Sequence, residues 1–407
     1  MLISECAETN GTGKISPSGQ FAVLSKSLQV KLYELGDTLR ILTRWNVLDE
    51  VTALEWSKNS ELILCQQRKR GVLQIFNTGN YSWTCTINPG VLGMSHSLIS
   101  PDNRNVVTID SQGVRLSVWN LTNCQVFNIK FPKYHNKGLS FSFDGSKLAL
   151  ITREKNSDFL SFYNTEDWSL INSIQSPINA GDLIYLPDSS AVILWTPSTE
   201  YNFCVFQTNG TILAKFDGNS FAPGICRVEF NESFMAVCGM DYKLKVFHLG
   251  SWVLFHEFSY KENFEHRVLI LKESEEFRGE QVGPKEFDNV KNVIGNAGDT
   301  GFCVFGGKPG SIIVCTVLKN APNYIWIWDC KSAVLSLVVV MRKSVKSIVW
   351  ADGYLVWVCG ENQVYMLNES HEVLTCSTSD ILLTKIEYNS GAFLLQNKHL
   401  AVYSKLN

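Results

Sequence analysis

One short pattern of apolar and polar positions recurs along the chain. It runs apolar, any residue, apolar, then a large aromatic or apolar residue, and a polar turn follows. It reads Val30-Lys31-Leu32-Tyr33, Leu73-Gln74-Ile75-Phe76, Leu116-Ser117-Val118-Trp119, Leu160-Ser161-Phe162-Tyr163 and Phe203-Cys204-Val205-Phe206. It continues as Leu244-Lys245-Val246-Phe247, Ile325-Trp326-Ile327-Trp328, Val364-Tyr365-Met366-Leu367 and Leu400-Ala401-Val402-Tyr403. The last position advances by 43, 43, 44, 43, 41, 81, 39 and 36 residues between occurrences, so seven of the eight steps are close to one unit length. Alternation of this kind, at period two, marks a half-buried strand.

A turn precedes each copy: Ser16-Pro17-Ser18-Gly19, Ser57-Lys58-Asn59-Ser60, Ser100-Pro101-Asp102-Asn103, Phe143-Asp144-Gly145 and Leu186-Pro187-Asp188-Ser189. Further on come Asn231-Glu232-Ser233, Lys308-Pro309-Gly310-Ser311, Ala351-Asp352-Gly353 and Asn389-Ser390-Gly391. Proline pre-sets φ at the second turn position, and glycine or asparagine accepts positive φ at the end. Such a turn joins two antiparallel strands, here for example Val51 to Trp56 and Glu61 to Cys65, and a fourth run such as Trp83 to Ile87 follows the aromatic strand.

Four short strands in roughly 40–45 residues is the grammar of a WD-type propeller blade. The fold class expected is therefore all-β, a single WD-repeat β-propeller over residues 1–407 with nine four-stranded blades. The 81-residue step is read as one blade plus a charged insertion at 259–299, between the sixth and seventh blades, where 15 of 41 residues are charged. Val268 to Leu271 would be one strand of a surface hairpin there. The last unit stops after its third strand at Tyr403, so its fourth strand is expected from the N-terminus, around Leu2 to Glu8, leaving no open sheet edge. Only Trp328-Asp329 spells the signature dipeptide, no Gly-His pair opens any repeat, and turn aspartates survive at Asp241 and near Asp110 and Asp158. With that polar network worn away, each blade is expected to depend on apolar packing, Trp56, Trp119, Trp326 and Trp328 included.

Composition narrows the function. Of the 407 residues 45% are hydrophobic and 18% charged, with a formal net charge of −3, which excludes a disordered chain and argues against charge-driven nucleic-acid binding. Met1 to Cys6 shows no basic region ahead of an apolar run, and no apolar stretch nears the ~18 residues that span a bilayer, so neither a leader nor a membrane anchor is expected. The twelve cysteines include no pair at CxxC spacing, so reduced, buried thiols in the cytoplasm are expected rather than a zinc site. The seven histidines stand singly, and no HExxH, GxSxG or Walker sequence occurs. No catalytic residue, metal or cofactor is expected.

Two blocks carry a resemblance. Glu55-Trp56-Ser57, Leu62-Ile63-Leu64-Cys65 and Lys69-Arg70-Gly71-Val72-Leu73-Gln74-Ile75-Phe76 form one, and Asn320-Ala321-Pro322-Asn323-Tyr324-Ile325-Trp326-Ile327-Trp328-Asp329 the other. Together with Asp241-Tyr242-Lys243-Leu244-Lys245-Val246 they resemble the WD-repeat proteins of centrosomes and spindle pole bodies, the Wdr-eight family. The resemblance implies a non-enzymatic scaffold in the cytoskeleton, at the microtubule-organising centre and spindle pole. It would bind a coiled-coil anchoring protein, a minus-end-directed kinesin and γ-tubulin-associated proteins, so that microtubule minus ends are anchored during spindle assembly. Partner contacts are expected at Lys69 and Arg70 on one hairpin and at Pro322 and Asn323 entering another blade's third strand. The competing readings are a nine-bladed propeller of the translation-initiation type, which would associate with the ribosome, and a propeller enzyme.

Overall fold

The computed structural model describes the chain except at residues 1, 37–38, 197–199, 201, 219–223, 261–267, 274–276, 283–299, 307–311, 369, 379–380 and 406–407. Among the described residues every regular element is a β-strand. The described strands form nine sheets, antiparallel but for one pair, built on residues 13–46, 53–87, 96–130, 139–175, 182–217, 225–259, 300–340, 347–377 and 385–405. These are the blades of a β-propeller, and the expected count of nine is borne out.

Each blade is built from the pattern read in the sequence. In the second, Leu62–Gln67 is buried at all six positions, whereas the outer strand Thr84–Ile87 alternates between solvent and core. Inner strands are sandwiched by neighbouring sheets, and fully burying one such Leu or Ile is worth ~1.5–3 kcal/mol. Buried glutamines pair with one another: Gln67 Nε2 donates to Gln74 Oε1 at 2.6 Å, which also accepts the Leu48 N–H at 2.9 Å. The turns share one device. Ser16, Ser57, Ser100 and Ser142 each accept, through Oγ, the N–H of the residue five places on, at 3.0, 2.8, 3.0 and 3.0 Å. This fixes the step from the first strand to the second in four blades running.

The last blade closes as expected. Leu2–Glu8 pairs antiparallel with Leu400–Lys405 as its fourth strand.

The seventh blade accounts for the long step. Its four strands are Thr300–Gly306, Ile313–Leu318, Ala321–Asp329 and Val334–Val340, and two more join its outer edge. Val268–Lys272 pairs antiparallel with Arg278–Val282, the hairpin foreseen, but it also pairs in parallel with Val334–Val340. Val268, Ile270 and Leu271 are buried. This strand is therefore core rather than surface, because its apolar side chains extend the blade instead of facing water. The charged runs at 261–267, 274–276 and 283–299 and the turn at 308–311 lie outside the described residues.

The polar network is thinner than in a full WD signature, yet part of it persists, contrary to expectation. Trp119 Nε1 donates to Thr108 Oγ1 at 2.8 Å and Trp328 Nε1 to Thr316 Oγ1 at 3.2 Å, each tying the third strand to the second. Asp158 keeps a buried partner as well, described below. The four tryptophans pack as foreseen: Trp326 and Trp328 are fully buried, and Trp56 Nε1 reaches the Lys14 carbonyl of the preceding blade at 3.1 Å.

By internal contacts the chain forms two compact units, Met1–Trp195 with Cys204–Lys215 and Glu387–Asn407, and Thr196–Phe203 with Phe216–Ile386. In the first, Trp45 stacks on Phe76 of the next blade at 4.9 Å. In the second, Phe258 and Tyr260 lie 5.1 Å from Trp328, and Gly306 abuts Trp350 so closely that a Cβ would overlap the indole.

Candidate interaction surface

In the first unit, loops from successive blades meet at one end of the sheets. The hairpin tip Arg68-Lys69-Arg70-Gly71 joins Leu62–Gln67 to Val72–Asn77. Gly71 sits at φ +68, with its N–H on the carbonyl of Gln67 at 2.9 Å, a conformation that favours glycine. The three basic residues reach both ways. Lys69 Nζ pairs with Glu50 Oε2 at 2.8 Å and Arg70 Nη1 donates to the Leu48 carbonyl at 3.1 Å, both in the loop before the blade. Arg68 Nη2 donates to the Ser95 carbonyl at 3.2 Å, in the loop after it.

That second loop holds Val91, which is fully exposed, and Leu92. It leans on the turn of the third blade, where Gly93 lies against Ser111. There Asp110 Oδ1 accepts the N–H groups of Gln112 and Val114 at 3.0 Å each and presents Val114 outward. Phe131 follows, half exposed, its N–H on the Val114 carbonyl at 2.9 Å. Leu48, Val91, Leu92, Val114 and Phe131 are thus exposed apolar side chains on loops, far apart in sequence, that meet through Arg70, Arg68, Gly93 and the Phe131 N–H. Contiguous exposed apolar surface marks interaction sites, whereas single exposed side chains do not.

The Phe131 end of this surface is held by a buried ion pair. Lys133 and Asp158 are 4% and 5% exposed and sit 2.7 Å apart. Lys133 also donates to Asn179 Oδ1 at 2.9 Å and to the Ala180 carbonyl, while Arg153 Nε meets the other Asp158 oxygen at 2.7 Å. Burial opposes ionisation of Asp158, but the hydrogen bonds from Arg153 and Lys133 outweigh it and hold the carboxyl below its usual value. Lys133 thereby pins the loop that carries Phe131 and Tyr134, and Lys137 lies over the Tyr134 ring, 4.6 Å from its centroid.

A second feature of this unit is a cleft of about 380 Å³ along the first strands of three blades, lined by Lys14, Glu55, Trp56, Glu387 and Asn389 among others. Its carboxylates are already engaged. Glu387 Oε2 accepts the Ile15 N–H at 3.4 Å and Glu55 Oε1 the Ile99 N–H at 3.3 Å, each reaching into the following blade. Ser140 Oγ does the same for Tyr185 at 3.2 Å. Burial pushes the Glu55 carboxyl up to about 7. These groups stitch blade to blade. Among the described residues no three His, Cys, Asp or Glu side chains converge as a metal site.

The residues expected to meet partners fall in two places. Lys69 and Arg70 belong to the loop surface of the first unit. Pro322 and Asn323 open the strand Ala321–Asp329 in the second and are only half-buried. The Pro322 carbonyl accepts the Val345 N–H at 2.8 Å, and Asn323 Nδ2 donates to the Arg342 carbonyl at 3.3 Å. Sequence reading missed Val91, Phe131 and Lys133. Their signal was apolar and aromatic residues set in polar loops, Pro89-Gly90-Val91-Leu92-Gly93 and Phe131-Pro132-Lys133-Tyr134.

No family model matches the sequence. The chain is 25% identical over 368 residues to WD repeat-containing protein WRAP73 of Mus musculus, covering 83% of this chain and 79% of that protein. Among solved structures it is similar to the C-terminal WD40 domain of Sif2, with TM-score 0.54, 12% identity and coverage of 92% and 98% of the two chains. It is also similar to Sqt1 of Saccharomyces cerevisiae, with TM-score 0.54, 10% identity and coverage of 98% and 96%. Those two likenesses speak for the fold. The first bears out the resemblance to the Wdr-eight family: the chain is a WD-repeat protein with an interaction role.

Proposed function

We propose that the protein is a non-enzymatic scaffold of the microtubule-organising centre. It binds a coiled-coil anchoring protein, and with it a minus-end-directed kinesin and γ-tubulin-associated proteins, and so holds microtubule minus ends at the spindle pole. The observation that carries this reading is the likeness to WRAP73 along most of both chains. The loop surface supports it, since propeller loops on a stiff stack of sheets suit protein partners. The net charge of −3 speaks against direct adhesion to an acidic microtubule wall, so contact with the polymer runs through partners. The protein then resides in the cytoplasm, on the cytoskeleton.

Imaging a tagged copy through mitosis tests the reading: discrete foci at spindle poles are expected. Nine blades also suit the translation-initiation reading, and diffuse cytoplasmic signal that co-sediments with ribosomes would replace the scaffold proposal with that one. Strong, salt-sensitive pelleting of the purified protein with tubulin polymer would overturn the indirect contact.

A further inference from the structure

We infer that the loop surface of the first unit docks an acidic amphipathic helix, its apolar face on Val91, Val114 and Phe131 and its acidic flank toward Arg68 and Arg70; the inference rests on the scaffold reading. Three observations narrow the occupant. First, these adjoining loops carry exposed apolar side chains, Val91 fully and Phe131 half exposed, which suits a protein rather than a polyanion. Second, its exposed charge is unlike that of the whole chain. Arg68, Lys69, Arg70 and Lys130 are exposed and Lys137 half so, against only Asp49 and Glu50 in these loops, and Arg68 and Arg70 are bound to carbonyls. A net negative chain thus gathers positive charge around exposed apolar side chains, which selects an acidic partner and steers its approach. Third, the surface consists of loop tips whose backbone is already spent, as in Gly71 to Gln67 and Phe131 to Val114. A strand added to an edge needs open backbone groups. A helix satisfies its own and offers side chains alone.

The Lys133–Asp158 pair holds the Phe131 loop in place before binding, which lowers the ordering cost of association there.

The test uses the purified full chain and three synthetic peptides: leucines at i, i+3, i+4 and i+7 with glutamates elsewhere, the same leucines with lysines, and the glutamate peptide without leucine. Anisotropy titrations should show binding of the Leu/Glu peptide, and neither control within tenfold of it. Val91→Asp and Phe131→Asp should each weaken it about tenfold, and Arg70→Glu should weaken it and flatten its salt dependence. Leu382→Asp, at an exposed site in the second unit, should change nothing and serves as the folding control together with unchanged melting. No binding of the Leu/Glu peptide, equal binding of the leucine-free peptide, or wild-type affinity in the Val91→Asp/Phe131→Asp double variant each overturns the proposal. The scaffold reading fails separately: spindle-pole foci with no peptide binding sink only the docking surface, and binding without foci sinks only the scaffold.

Discussion

Lys133 and Asp158 hold each other 2.7 Å apart with both side chains all but shut away from water. Two charges so buried are costly apart, because neither regains its hydration when the other is removed. Lys133→Met should destabilise the protein by roughly 3 kcal/mol, less if Arg153 takes over the carboxylate. Lys133→Leu combined with Asp158→Leu should cost less than the sum of the single changes. Urea unfolding of the four proteins measures this, and strict additivity would show that the pair is not coupled. Loosening of the Phe131 loop should follow in the Lys133 variant, read as faster amide exchange there.

Gly306 leaves no room for a methyl group beside Trp350. Gly306→Ala must push the indole or part the seventh and eighth blades, at a cost of about 1–3 kcal/mol. Trp350→Ala makes the space, so Gly306→Ala should be close to harmless in that background. Melting curves of the double-mutant set decide the matter: an equal loss in both backgrounds refutes the steric account.

Glu55 predicts a pH dependence of definite sign. Its carboxyl titrates near 7 in the fold because burial disfavours the charge, and near 4.5 when unfolded. The folded state therefore binds more protons between those values. This contribution to stability is whole below about 4.5, and it is lost as pH rises toward and through 7. Glu55→Gln keeps an acceptor for the Ile99 N–H and removes the titration. The variant should equal the wild type at pH 4 and exceed it at pH 8 by about 3 kcal/mol. A constant difference between the two proteins across that range would contradict the assignment.

Removing residues 1–8 takes the fourth strand from the last blade and bares the edge Leu400–Lys405. The truncated protein should melt several degrees lower and aggregate on heating, as open edges do. An unchanged melting temperature would mean that the strand contributes nothing.

Most of the fold was legible because two independent signals coincide in each unit. The aromatic strand recurs at near-constant spacing, and a turn such as Ser57-Lys58-Asn59-Ser60 falls in step with it. The parallel docking of Val268–Lys272 was not legible. Its apolar run is embedded in charge, and nothing local tells a strand that its partner is Val334–Val340. The interaction surface was legible only in part. Lys69 and Arg70 stand out as a basic run, but Val91, Val114 and Phe131 acquire meaning only once three loops are brought together. Nothing local in the sequence sets Lys133 apart; Asp158 and the Ala180 carbonyl give it its place.

The pairing of Leu2–Glu8 with Leu400–Lys405 also sets an order of events. Leu2–Glu8 takes its place in a sheet whose other three strands are made only after the eight other blades. At ~5–20 residues per second, a ribosome keeps it waiting on the order of 20–80 s, while earlier blades have their sequence complete and begin to stack. The ninth blade can therefore be completed only after the sequences of the other eight have been made.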